Sequence, residues 1–221
     1  MQRALIIGES GAVGGAVAAQ LRDEGVAVTG LSRSQDGLDL GDPDAVERVL
    51  GAVEGPFDLV LVATGALEIG GVGPEKALRE IDAGAMLAQF ALNAVGPALV
   101  LRHAARWLPR EGRSVFAVLT ARVGSIGDNR LGGWYAYRAA KAAANQVVRT
   151  ASVELARTHR EACVVALHPG TVRSSLTEKY LGRHPAVAPE AAAENLLRVI
   201  GGLGPSDTGG FFDWRGDRVE W

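Results

Sequence analysis

The stretch Ala4-Leu-Ile-Ile-Gly-Glu-Ser-Gly-Ala-Val-Gly-Gly15 decides the fold. Four apolar residues in a row read as a buried strand, and the glycines after them read as a turn that opens a helix over 13–24. Gly8 permits a tight turn, Gly11 lets backbone approach a ligand, and Gly14 lets the helix pack closely on the strand. A pyrophosphate at such a helix start meets free N–H groups and the positive end of the helix dipole. The competing reading is a glycine-rich turn of purely structural use. The order strand, glycine turn, helix favours nucleotide binding.

Outward from this stretch, apolar runs at 4–7, 26–31, 59–63, 114–119 and 164–167 read as strands. Between them, 13–24, 42–51, 76–105, 135–157 and 189–200 read as helices. Strands that are apolar throughout belong in a parallel sheet covered on both faces. Their alternation with helices predicts an α/β fold, a doubly wound parallel sheet flanked by helices. No linker, repeat or low-complexity tract divides the 221 residues, so 1–221 reads as a single domain. Gly201-Gly-Leu-Gly-Pro205 reads as a helix stop, and 211–214 as a last strand at the sheet edge.

Hydrophobic residues make up 48% of the chain, enough for a full core. The net charge of −2 gives no support for nucleic acid or an acidic membrane as a partner. A lone cysteine, Cys163, cannot form a disulfide within the chain and reads as a small buried strand residue. No apolar stretch is read as reaching membrane-spanning length, and the N-terminus lacks a signal-peptide layout. A soluble, cytoplasmic protein is expected.

Two further features carry chemistry. Ser32 and Arg33 end the second strand, where an acidic residue would grip the ribose hydroxyls of NAD. A guanidinium there can bond a 2′-phosphate and stack on adenine, which favours NADP over NAD. Asp39, followed by Leu40, can accept from the adenine amino group or simply hold a turn. Tyr137 and Lys141 stand four residues apart and share one helical face. A cation beside a phenol stabilises the phenolate and tunes it for proton transfer. Only Lys76, Lys141 and Lys179 are lysines, which makes Lys141 harder to dismiss as surface decoration.

With these residues in view, the chain resembles the short-chain dehydrogenase/reductase family, and within it the small C-factor-like and sniffer-like carbonyl reductases. The resemblance implies a Rossmann-type sheet. The family's glycine motif is matched by Ile7-Gly8-Glu9-Ser10-Gly11-Ala12-Val13-Gly14, with Ala12 at the middle glycine. Its Asn-Asn-Ala-Gly segment appears as Val62-Ala63-Thr64-Gly65, where Ala63 and Gly65 would line the adenosine and Thr64 would substitute in part for the lost asparagines. Asn93 matches the asparagine that organises a proton-relay water. Pro169-Gly170-Thr171-Val172-Arg173-Ser174 matches the segment whose backbone holds the nicotinamide carboxamide, with Val172 and Ser174 in the contact roles. His168 reads as a packed strand-end residue.

The resemblance further implies a serine hydroxyl that polarises the substrate carbonyl. Ser125 is favoured, with Thr120 as the fallback; in the register that uses Thr120, Ala121 falls on the serine position. Tyr137 would then be the proton donor and Lys141 its partner on the nicotinamide ribose, with Tyr135 excluded because no lysine follows it by four residues. The reading is an NADPH-dependent carbonyl reductase acting on a small carbonyl or alcohol, as a homodimer or homotetramer. The loops 127–134 and 176–187 would shape the pocket, with Leu131, Trp134 and Tyr180 suggesting an apolar or aromatic carbonyl. The alternatives are a cofactor-binding signalling protein with little turnover, and a methyltransferase on a similar sheet.

Overall fold

The first strand, β1 (Arg3–Ile7), pairs in parallel with β2 (Ala27–Leu31) on one side and β3 (Leu59–Val62) on the other. The sheet runs on through β4 (Ser114–Leu119), β5 (Ala162–His168) and β6 (Phe211–Asp213), all parallel, in the order β2-β1-β3-β4-β5-β6. The chain leaves β1 in one direction and returns to its other side at β3, so a crevice opens at the carboxyl ends of these strands. The computed structural model describes residues 1–175, 177–180 and 186–221.

Two apolar layers sandwich the sheet. On one face α1 (Ala12–Asp23) and α8 (Pro189–Gly202) bring Val17, Leu21, Leu196 and Ile200 onto Ile6, Leu61 and Val165. On the other face Leu50, Val100, Trp107 and Val148 cover Leu5, Val60, Phe116 and Val164. These come from α3 (Pro43–Gly51), α5 (Gly96–Leu101), α6 (Ala104–Trp107) and α7 (Tyr135–Leu155). Alternate strand residues feed alternate faces, which is why β1, β3 and β4 are apolar along almost their whole length. A single turn, α2 (Arg33–Asp36), follows β2.

The helix expected over 76–105 is broken. A 3₁₀ turn occupies Leu78–Glu80, and Asp82 then starts α4 (Ala83–Phe90) by accepting from the Ala85 N–H at 2.8 Å. A π-helical turn, Ala91–Val95, joins α4 to α5. Pro97 cannot donate to the Asn93 carbonyl, the bond an α-helix would need at that point. The expectation that no apolar stretch reaches membrane-spanning length also fails. Ala83–Leu101 is 19 residues long and apolar enough to cross a membrane by length and composition. In the fold one side of it packs inward, with Gln89, Asn93, Pro97 and Val100 buried.

Candidate active site

The β1–α1 turn is built as its glycines require. Gly8 has φ +96°, and its N–H and that of Glu9 both donate to the Leu31 carbonyl. A Cβ on Gly8 would meet the Ala63 carbonyl oxygen at 2.8 Å, and a Cβ on Gly14 would strike the Gly8 carbonyl. Gly11 is the N-cap of α1 and offers no side-chain cap. The first N–H groups of α1 therefore face an open mouth flanked by exposed Ser10, Ala12 and half-buried Val13. Uncapped donors, a positive helix end and crowded glycines fit a pyrophosphate, with Ala12 exposed rather than wedged in the turn.

At the end of β2 the structure adds a group the sequence does not reveal. The Glu9 carboxylate lies across Gly30, filling the space a Cβ would take, and is paired with Arg22 of α1. An acid thus does stand beside the end of β2, delivered from the first turn. Ser32 caps α2, its Oγ accepting from the Gln35 N–H at 3.2 Å. Arg33 is exposed, and among the described residues nothing bonds its guanidinium. Asp39 Oδ1 accepts from the Gly41 N–H at 2.9 Å, the turn role, while its other oxygen is uncommitted among the described residues. Leu40 is buried against Gly96.

Across the sheet, Gly65 is where Asn93 and Lys141 meet. A Cβ on Gly65, at φ +146°, would lie 2.8 Å from Asn93 Oδ1 and 3.0 Å from Lys141 Nζ. Asn93 grips the neighbouring backbone, donating to the Ala66 carbonyl at 2.9 Å and accepting from the Ala66 N–H at 3.2 Å. It also donates to Gln89 at 2.6 Å, so its side chain fixes a loop. Thr64 does not take over the asparagine bonds: its Oγ1 is buried and has no partner among the described residues. Lys141 is buried, donates to the Leu119 carbonyl at 3.3 Å, and sits 5.8 Å from the Tyr137 ring centre. Burial pushes its ammonium down to about 8 and holds the Tyr137 phenol above its ordinary value. The expected lowering of the phenol by Lys141 is outweighed by desolvation in this state. Tyr137 is a firmly protonated group whose hydroxyl makes no hydrogen bond among the described residues.

Both candidate hydroxyls lie past the end of β4. Thr120 continues the strand, its N–H donating to the Leu167 carbonyl, and its Oγ1 is buried without a partner among the described residues. Ser125 follows a 3₁₀ turn (Arg122–Gly124) that packs on α7, with a Gly124 Cβ position only 2.8 Å from Lys141 Cβ. Ser125 Oγ accepts from the Asp128 N–H at 3.0 Å, and its hydroxyl hydrogen is uncommitted among the described residues. In strand register His168 pairs with Asp213. His168 is packed as expected, its imidazole pushed down to about 4 by burial. Cys163 is buried within β5, and burial pushes its thiol up to about 12.

After β5, Pro169 leads into Gly170, whose φ of +79° brings Trp214 against it. Val172 bridges Val187 in parallel, and the flanking Thr171 carbonyl and Arg173 N–H take those bonds. The Val172 carbonyl accepts from Thr177, and Ser174 joins the same small network. Of the segment 176–187 expected to shape the pocket, residues 176 and 181–185, His184 among them, lie outside the described residues, as does the Tyr180 side chain. Leu131 is 84% exposed. Trp134 stacks edge-on to Tyr137 at 6.2 Å and carries a left-handed φ of 56°.

The sheet, its crevice and the Tyr-Lys helix over the end of β4 define a doubly wound α/β oxidoreductase. A protein-family model described as Enoyl-(Acyl carrier protein) reductase matches residues 8–204. The chain is 30% identical over 237 residues to 1-hydroxy-2-glutathionyl-2-methyl-3-butene dehydrogenase of Rhodococcus sp. (strain AD45), covering 100% of both. It is 39% identical over 173 residues to the C-signal of Myxococcus xanthus, covering 76% of this chain and 94% of that protein. The NADPH-bound carbonyl reductase from chicken fatty liver has the same fold, with a TM-score of 0.83 at 18% identity over 100% of this chain and 94% of that one. The chain belongs to the short-chain dehydrogenase/reductase family. Its relatives include C-signal, in accord with the subgroup that the sequence resembles.

Proposed function

We propose that this protein is an NADPH-dependent carbonyl reductase that interconverts a small carbonyl compound and its alcohol. The observation that carries the reading is the meeting of Asn93 and Lys141 at Gly65, with Tyr137 one helical turn from the lysine. Gly8, Gly11 and the start of α1 would hold the pyrophosphate, Arg33 and Asp39 the adenosine end, Ala63 and Gly65 the middle, and Lys141, Val172 and Ser174 the nicotinamide end. The nicotinamide, when bound, supplies the hydride.

The chain's own residues handle the proton and the charge. Tyr137 gives its proton to the carbonyl oxygen as negative charge builds there, and its burial keeps that proton in place until then. Ser125 points its free hydroxyl hydrogen at the same oxygen while the Asp128 N–H steadies its lone pair. Lys141 places a positive charge beside the phenolate left behind. Asn93 pins Ala66, and so Gly65, against that ammonium.

The relative named as a dehydrogenase, similar over its whole length, supports an enzyme. The NADPH bound by the chicken fatty liver carbonyl reductase supports the choice of cofactor. A second reading, a cofactor-binding signalling protein with little turnover, draws support from the similarity to C-signal. Purified protein mixed with NADPH or NADH and a panel of aldehydes, ketones and quinones discriminates the two. Loss of NADPH absorbance with at least one carbonyl supports the enzyme; tight NADPH binding with no turnover across the panel supports the signalling protein. A cytoplasmic location and a homo-oligomeric state belong to the same proposal.

A further inference from the structure

Glu75 stands in the segment before α4, outside every residue set considered so far, and is only 6% exposed. It holds the start of α7 twice. Its carbonyl accepts from the Trp134 N–H at 2.6 Å, and its Oε2 accepts from the Ala136 N–H at 3.2 Å. The positive end of a 21-residue helix that has no side-chain N-cap suits an acidic group there. Its second oxygen, Oε1, is buried and has no hydrogen-bond partner among the described residues.

Glu75 lines a cavity of about 10 Å³ together with Ile69, Val72, Pro74, Gln89 and Tyr137. A space of this size takes one water or one hydroxyl group. Gln89 donates one amide N–H to the Leu67 carbonyl at 2.9 Å and its oxygen accepts from Asn93, and among the described residues its second N–H makes no bond to Glu75. Glu75 Oε1 is therefore a buried acceptor without a donor among the described residues, in an otherwise largely apolar pocket that has the proton-donating tyrosine as one wall. Buried acceptors are costly to leave unpaired.

We infer that Glu75 is a substrate-recognition residue: its Oε1 accepts a hydrogen bond from a hydroxyl carried by the substrate near the carbonyl that Tyr137 protonates. The favoured substrates are then hydroxy-carbonyl compounds, and in the reverse direction diols. This rests on the reductase reading above and deepens it. A compound with no donor at that place leaves Oε1 unpaired and dry, and sites built around a buried polar group reject such compounds strongly.

The test compares hydroxyketones, with the hydroxyl one, two or three carbons from the carbonyl, with the methyl ether of each, using the full chain and NADPH. At least one hydroxyketone is expected to exceed its ether in kcat/KM by about tenfold or more. Glu75→Gln keeps an oxygen for the Ala136 N–H and puts an amide donor where Oε1 was. That change should bring the ratio to within about threefold or reverse it, because an ether oxygen now finds a donor. Equal kcat/KM for all pairs in the unaltered protein, or an unchanged ratio in Glu75→Gln, overturns the assignment. If no carbonyl compound is reduced, the reductase reading fails by itself. Ligand-observed NMR on NADP-saturated protein then decides the role of Glu75, with the diols and their monomethyl ethers as probes. A diol signal that exceeds the ether's and vanishes in Glu75→Gln upholds the site; no difference removes it.

Discussion

At the scale of single residues, the proton donor is the group whose loss should be most specific. Tyr137→Phe removes one hydroxyl that bonds nothing among the described residues, so fold and NADPH affinity should be retained. Turnover should fall by about a hundredfold or more, while Tyr135→Phe changes little. Full activity of Tyr137→Phe on a verified substrate would remove the mechanism. Ser125→Ala should cost about a hundredfold in kcat and loosen the turn to Asp128, whereas Thr120→Ala stays mild. The opposite order would move the hydroxyl role to Thr120, whose buried Oγ1 is unpartnered among the described residues. His168 gives a pH signature. Its folded value of about 4 lies below the ordinary 6.5, so the unfolded chain binds more protons between those values. Stability should therefore rise with pH from about 4 to 6.5, and His168→Gln should flatten that rise in thermal unfolding curves. Tyr137, Lys141 and Asn93 were legible because local spacing or a family motif marks them. Glu9 over Gly30, and Glu75 under the start of α7, were not. Each is joined to its partner by the fold, across 21 residues of sequence in one case and 61 in the other.

At the scale of elements, the proposed cofactor choice rests on the β1–α1 turn and the end of β2. Arg33→Ala should cut NADPH affinity by roughly tenfold or more while NADH binding stays nearly unchanged, because a charge-assisted bond to a 2′-phosphate is worth ~1.5–3 kcal/mol. Titration of both cofactors by fluorescence checks this, and equal affinities in the unaltered protein would end the case for Arg33. The Glu9 carboxylate across Gly30 acts in the opposite sense, since negative charge near a phosphate disfavours it. Gly65→Ala tests the other half of the site. Its Cβ would press on Asn93 Oδ1 and Lys141 Nζ at a left-handed φ, so a loss of cofactor affinity with a stability cost of ~1–3 kcal/mol is expected. The strands were readable from sequence because both faces of the sheet are covered, which leaves plain apolar runs. The 76–105 segment reads as one helix because most of its composition favours helix. Asp82 capping α4 and Pro97 beside the π-turn carry the interruptions, and a count of apolar residues sees neither.

At the scale of the whole molecule, the buried faces of the sheet are fully matched by helices, but the outer helices are not equally polar outside. Leu87 is 72% exposed on α4, Val95 47% exposed two turns further along the same helical stretch, and Val153 50% exposed near the end of α7. Leu87 and Val95 are eight residues apart, a spacing that returns a side chain to one helical face. The stretch that carries them, Ala83–Leu101, is long and apolar enough to cross a membrane by length and composition, so water is a poor neighbour for its outer side. A second copy laid against the α4 and α7 helices by a two-fold axis would cover both patches at once, as isologous contacts do. Light scattering at micromolar concentration should therefore return about twice the 23.0 kDa chain mass, or four times for a tetramer. Leu87→Glu puts an acid in the middle of that patch and should return a single-chain mass with secondary structure unchanged. A 23.0 kDa particle for the unaltered protein would mean that these helices face solvent as they stand.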